Sequence, residues 1–333
     1  MIDKEMTENT LTQKKHKRMI PTLILMLGLS FITWFFYQLE WDKVLLFLAK
    51  IDLGEISILV AINLLLFFLF CLRWWIIFVR IDSNISFSNL VKNRLIGFAI
   101  SYITPGPLVG GEPLQIFLLK KINNIPATHS VSALFIDRYV DFLANFTFVI
   151  FATCFLFWND ISTLLSLVLI TVFSIYVSVI FFYIKKVAVF SYILEKIPYL
   201  QKIYRFLYEV ELQVIEFFHS STSAWWQIFA LCITIWGITI FELWFTLYAL
   251  DLEPSLIDVL TVLLTLRLVL LTPFPGGIGI LETSQMWVVN YLGFNRNISA
   301  ITTLLIRGRD ASFTLCGLYH WQKYSQQFKN QKK

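Results

Sequence analysis

Charge is what this chain has least of. Only 15% of its 333 residues are Asp, Glu, Lys or Arg, against 57% hydrophobic, and the mean hydropathy is +0.70. That balance excludes a soluble protein with a solvated surface and makes the chain an integral membrane protein. Cysteine is scarce as well: Cys71, Cys154, Cys232 and Cys316 lie singly inside apolar runs, which excludes a disulfide framework and a zinc site. The histidines, His16, His129, His219 and His320, form no metal-like pair. The sequence contains no Gly-x-Ser-x-Gly, no His-Glu-x-x-His and no phosphate loop ending in Gly-Lys-Ser/Thr. With no polar stretch long enough for a soluble catalytic domain, an enzyme is not expected, nor is a cofactor or a metal. The net charge of +5 is concentrated in Lys14-Lys15-His16-Lys17-Arg18 and in the tail from Lys323 to Lys333. Basic clusters beside apolar runs mark the cytoplasmic side of a membrane, so this excess reads as orientation rather than nucleic-acid binding.

What is present is a series of long apolar runs. Residues 1 to 18 are a polar tail without periodicity, expected to be disordered. Met19 to Leu39 follows a basic stretch as a signal peptide would, yet it is long enough to span and no small-residue cleavage site follows, so it reads as a retained helix. Roughly 20 residues at about 1.5 Å each cross a hydrocarbon core of about 30 Å. Ile56 to Val79, Pro126 to Phe157, Ile161 to Ile184, Ala224 to Leu250 and Ile298 to Trp321 are the other expected spans. Between Val187 and Ser220 apolar residues recur every three or four positions among Lys202, Arg205, Glu209 and Glu216. That pattern predicts an amphipathic helix, either on the cytoplasmic membrane surface or packed as a connector on the inner face of the bundle.

The most informative stretch runs from Arg94 to Asp141, because its features return in order from Arg267 to Asp310. An Arg opens an apolar run that breaks at Thr104-Pro105-Gly106-Pro107-Leu108-Val109-Gly110-Gly111-Glu112-Pro113, and Arg138-x-x-Asp141 follows. In the second copy Arg267 leads to Thr272-Pro273-Phe274-Pro275-Gly276-Gly277-Ile278-Gly279-Ile280-Leu281-Glu282, then Arg307-x-x-Asp310. Glu112 precedes Arg138 by 26 positions (138 − 112), and Glu282 precedes Arg307 by 25 (307 − 282). A repeat of half the chain is too long for a solenoid and suits a two-half transporter. Leu95 to Thr104 would make about 15 Å of helix, half a membrane, so residues 94–121 are expected as a re-entrant hairpin. Leu256 to Leu271, about 24 Å, is long enough that a full crossing is the alternative, but that would put the lysine-rich C-terminus outside, so residues 256–292 are expected as a second hairpin. The expected fold is all-α and integral to the membrane: six transmembrane helices plus two re-entrant hairpins in an inverted-topology repeat. Its halves are 19–158 and 161–321, followed by a tail over 322–333. Both termini are expected in the cytoplasm, and the chain in the cell (inner) membrane.

A charge at the centre of an isolated spanning helix costs about 2.5 to 3.5 kcal/mol, so the intramembrane charges must be paired or wet. Arg138 and Asp141, like Arg307 and Asp310, are three apart and can meet on one helix face, with Asp137 on the same side as Asp141. Arg94, Arg267 and Glu242 are further charges within apolar surroundings. Ion pairs that merely hold the hairpins in place are one reading, a translocation site the other. The loops carry the same ambiguity: Gly276, Gly277 and their neighbours expose backbone N–H groups suited to an anion. Glu112 and Glu282 either cap the returning arms or act as groups that accept a proton or cation.

Those two loops, with Asp137-Arg138-x-x-Asp141 between them, resemble the flippase-like membrane family named for the transmembrane region of lysylphosphatidylglycerol synthase. The resemblance covers roughly residues 20 to 321, although the first loop departs from the tighter Pro-Gly-Gly of the second. It implies a lipid-translocating role for Glu112, Arg138, Asp141 and Glu282. Nothing in this sequence resembles the soluble aminoacyl-transfer domain of the full synthase, so lysine transfer to lipid is not implied. The expected function is a lipid flippase or scramblase that passes a headgroup phosphate through a central site. An ion-coupled carrier of a small anion, and a non-transporting partner of a membrane glycosyltransferase, are the alternatives. Expected partners are membrane lipid headgroups, protons or ions, and a lipid-synthesising enzyme, with no nucleic acid. The oligomeric state is not legible.

Overall fold

The computed structural model describes residues 51–82, 85–104, 110–157, 201–220, 222–269 and 277–330, with a few single positions elsewhere. Every regular element among them is an α-helix: α1 (Leu53–Ile81), α2 (Phe87–Ile103), α3 (Gly111–Ile122), α4 (Ala127–Leu156), α5 (Gln201–Ser220), α6 (Thr222–Tyr248), α7 (Leu256–Val269), α8 (Ile280–Tyr291) and α9 (Arg296–Asn330). The expected span from Met19 to Leu39, nearly all of that from Ile161 to Ile184, and the loop segments 105–109 and 270–276 lie outside the described residues.

Local chemistry sets the ends. Before α1 the Glu55 carboxylate accepts the backbone N–H of Asp52 at 3.0 Å, and Arg80 occupies the last turn, where its charge complements the helix dipole. Ser86 opens α2, its hydroxyl accepting the Asn89 N–H at 3.4 Å. Thr104 closes it, as Pro105 disfavours helical geometry in the residue before it. The Ser86 cap makes α2 17 residues long, about 26 Å, rather than the ten expected from Leu95. The helix carries Lys92, Asn93 and Arg94 with it, so those polar residues begin no new element. At α8 the chain turns through Gly277 (φ 64°) and Gly279 (φ 84°), a left-handed backbone that glycine adopts without steric cost.

Three helices among the described residues are long and apolar enough to cross a membrane: Leu53–Ile81, Ala127–Leu156 and Ser223–Tyr248. Their outer faces expose large apolar residues such as Leu64, Phe68, Phe151 and Ile233. Helix α9, at 35 residues and so about 52 Å, is long enough. It carries Arg307, Arg309 and Asp310 in its middle, however, and fails on composition.

Packing follows the sequence repeat. The short antiparallel arms pair as α2 with α3 and as α7 with α8. Helix α4 packs on α3, the returning arm of its own half, and on α7 of the other; α9 packs on α8 of its own half and, most extensively of all, on α2. Helices α1 and α6, each preceding a hairpin, pack on one another. The α2–α3 arms approach closely because a Cβ on Gly111 would collide with the Gly97 carbonyl. Three apolar clusters form the core: a small one of Ile62, Leu66 and Leu69 of α1 with Ile235 of α6, and two larger ones. One joins Phe148 and Ala152 of α4 to α6, α7, α8 and α9; the other joins Ala133 to Val140 of α4 to α1, α2, α3 and α5. On α4 the polar residues Asp141 and Asn145 fall between them.

Helix α5 docks on the bundle rather than lying free. Val210, Glu211, Val214, Ile215 and Phe217 are buried, and the Ser132 hydroxyl of α4 lies 2.8 Å from Gln213 Oε1 and 3.2 Å from the Val210 carbonyl. This is the connector arrangement.

Candidate functional site

Between the two larger apolar clusters, helices from both copies of the sequence repeat bring their charges together. Arg73 of α1, 1% exposed, donates from Nε to Asp137 Oδ1 at 2.9 Å and from Nη2 to Asp141 Oδ1 at 3.1 Å. Asp137 is fully buried and takes a second arginine, Arg94 of α2, whose Nη1 is 3.3 Å from Oδ2 and 3.1 Å from the Phe70 carbonyl. Arg94 also lies 5.6 Å from the Trp74 ring centroid. Asp137 and Asp141, one helical turn apart, thus form one acceptor face, as their spacing predicts. A carboxylate this deep is tolerable only with its oxygens occupied, and here both are.

The repeated acids and arginines pair within each half. Glu112, in the first turn of α3, places Oε1 3.1 Å from Arg138 Nε. The alignment is too poor for a hydrogen bond, and Arg138 Nε has no acceptor among the described residues. Glu282, in the first turn of α8, receives Arg307 Nε at 2.8 Å and Nη2 at 2.7 Å on Oε1, while Oε2 accepts the Gly279 N–H at 2.7 Å. Glu282 therefore does both things its position allowed: it caps its own helix and binds an arginine. Arg307 also donates to the Tyr102 hydroxyl of α2 at 2.9 Å and to the Gly277 carbonyl at 3.4 Å. The second pair is therefore tied to the first hairpin, and no such tie crosses to Glu112 and Arg138 among the described residues.

The expected pairing within Arg-x-x-Asp is not what forms. Asp141 goes to Arg73 rather than Arg138, and Asp310 to Arg309, which lies 3.0 Å away through Nη2. Arg138 and Arg307 turn instead to the acids in the first turns of α3 and α8, Glu112 and Glu282. Arg309 also reaches Glu242 Oε1 of α6 at 3.6 Å and Asn63 Oδ1 of α1 at 3.4 Å. Arg267 has no carboxylate partner among the described residues and stacks on Trp236, 4.7 Å from the ring centroid. Gly277 contributes a backbone carbonyl, and Gly276 lies outside the described residues.

Sequence reasoning missed Arg73, Arg309, Tyr102, Trp236 and Gln285. Arg73 had a signal, a lone cation well inside an apolar run, but the neighbouring Trp74, Trp75 and Arg80 resemble a membrane border. Gln285 also had one: it follows Glu282 by three positions, as Gln115 follows Glu112. Gln115 and Asn93 exchange hydrogen bonds across the first hairpin, at 3.1 and 3.4 Å. Gln285, 1% exposed, has no partner for its side-chain amide among the described residues. No group of three or more metal-binding side chains occurs among the described residues.

The family model described as the lysylphosphatidylglycerol synthase TM region matches residues 20–317. Similar proteins include a UPF0104 membrane protein of Pyrococcus horikoshii, 22% identical over 316 residues, covering 86% of this chain and 91% of the relative. Another UPF0104 membrane protein, from Methanocaldococcus jannaschii, is 24% identical over 301 residues and covers 86% and 89%. No solved structure matches significantly. Since the matched region takes in both hairpins and both Glu–Arg pairs, this membrane protein belongs to the family of the lysylphosphatidylglycerol synthase TM region.

Proposed function

We propose that the protein moves a phosphate-bearing lipid between membrane leaflets through the charged layer between its halves. The reading is supported above all by the matched Glu112–Arg138 and Glu282–Arg307 pairs at the starts of two short returning helices. In this account the hairpins enter from opposite sides of the cell membrane, with both termini in the cytoplasm, an inverted repeat that places its site near the midplane. The headgroup phosphate competes with a glutamate for its arginine, and the glutamate re-pairs to release it. Protons or ions are candidate coupling species, since a glutamate freed from its arginine attracts either. The acyl chains stay in lipid. An apolar groove between α6 and α7, about 340 Å³ and open along one side, favours a lipid over a small soluble anion.

The test is a leaflet-resolved comparison of lipids in cells with and without the gene. One phosphate-bearing lipid should change its distribution on deletion, and the wild-type gene should restore it. Unchanged distributions for every lipid would refute the proposal and favour a non-transporting role.

A further inference from the structure

Arg267 differs from the other arginines of the charged layer. Arg73, Arg94, Arg138, Arg307 and Arg309 each have a carboxylate within 3.6 Å, whereas Arg267 has none among the described residues. The two acids whose charge acts on it, Asp141 and Glu242, already hold Arg73 at 3.1 Å and Arg309 at 3.6 Å, and the charge of Arg309 repels it. Among the described residues its buried Nε has no acceptor. Trp236 covers one face of the guanidinium. A buried charged donor left without an acceptor is costly to hold, and an oxyanion at that N–H removes the cost.

A second observation bears on the ligand. Gly237, the residue after Trp236, lines the α6–α7 groove with Ile240, Phe241, Trp244, Leu256 and Val259, all apolar. A Cβ on Gly237 would meet nothing within 4 Å, so the groove is open at that point. Helices α6 and α7 are antiparallel neighbours joined at Tyr248 and Leu256, which brings the Gly237 end of the groove toward the level of Arg267. Trp236, on which Arg267 stacks, is thus next in sequence to a residue that lines an apolar track.

We propose that Arg267, backed by Trp236, is the subsite for a phosphate oxyanion, supplied by a phosphodiester headgroup whose acyl chain lies along the α6–α7 groove. The guanidinium fork matches two phosphate oxygens, which an ammonium does not. This rests on the transport reading and adds to it a docking point for the phosphate before it meets the Glu–Arg pairs, but binding can be measured without transport.

The experiment uses the full chain in detergent and native mass spectrometry with dioleoylphosphatidylglycerol, dioleoylglycerol and inorganic phosphate as probes. Wild type should retain the phospholipid and release dioleoylglycerol. Arg267→Gln should weaken retention at least tenfold, and Arg267→Lys by an intermediate factor. Arg80→Gln, at an exposed site, should leave retention unchanged and serves as the folding and charge control. Competition by millimolar inorganic phosphate as effective as by the lipid would identify a free anion as the source; competition by the lipid alone would identify the headgroup. Equal phospholipid retention by wild type, Arg267→Gln and Arg267→Lys overturns the subsite. If retention depends on Arg267 while no lipid moves between leaflets, the subsite stands and the transport reading falls.

Discussion

Replacing Glu282 by Gln should destabilise the protein far more than the same change at Glu112. The repeat makes the two acids equivalent in sequence, but their surroundings differ. The Glu282 side chain is 3% exposed and its oxygens receive two arginine donors and one backbone N–H. Glutamine keeps a neutral carbonyl for one of these and brings an amide that repels the others. With charged hydrogen bonds contributing about 1.5 to 3 kcal/mol each, and rupture of a buried pair costing about 3 to 5, a loss of about 3 kcal/mol is expected for Glu282→Gln. The Glu112 side chain is 30% exposed, its arginine 24%, and the contact is not aligned, so Glu112→Gln should cost about 1 kcal/mol or less. Equilibrium unfolding in mixed micelles measures both, and a cycle with Arg307→Gln isolates the pair. Equal losses for the two acids, or a coupling under about 0.5 kcal/mol between Glu282 and Arg307, would show that Glu282 is not held by its arginine.

Other consequences follow from the same contacts. Arg73→Gln should cost about 3 to 5 kcal/mol by leaving Asp137 and Asp141 with one arginine between them. Adding Asp141→Asn should recover part of that loss in the same unfolding assay, and a purely additive result would count against the network. Tyr102→Phe should cost about 1.5 kcal/mol by removing the tie from α2 to Arg307. Gly111→Val should cost about 1 to 3 kcal/mol by driving a side chain into the Gly97 carbonyl, whereas Gly308→Ala in α9, where a Cβ meets nothing within 4 Å, should be neutral or slightly stabilising. A Gly111→Val protein as stable as wild type would contradict the close approach of α2 and α3.

The sequence disclosed the helices well where a run of apolar residues ended in a cap or proline. Ala127–Leu156 and Leu53–Ile81 lie within a few residues of the spans expected for them, and α2 packs on α3 as α7 packs on α8. It was poorer where polar residues continue a helix: Lys92 to Arg94 read as a boundary, yet the Ser86 cap extends α2 through them. The charged residues were legible as a set because an apolar chain makes every charge conspicuous. Their partners were not. Helical spacing brings Arg138 toward Asp141, but it cannot weigh that contact against Arg73, which is 68 positions away in the chain. Nor could it anticipate that Asp137 would take two arginines and Arg267 none. Such choices depend on which helices meet, and that is settled by tertiary packing.

The most direct measurement of the central claim is headgroup translocation in proteoliposomes. The purified full chain would be reconstituted with a phosphodiester lipid carrying a fluorescent headgroup, and the outer-leaflet signal quenched by an impermeant reductant. Wild type should expose the inner-leaflet lipid to the reductant, and Glu282→Gln and Arg138→Gln should slow this by tenfold or more in protein that remains folded. Rates equal to those of protein-free vesicles across phosphate-bearing lipids, or full activity in both variants, would contradict that claim.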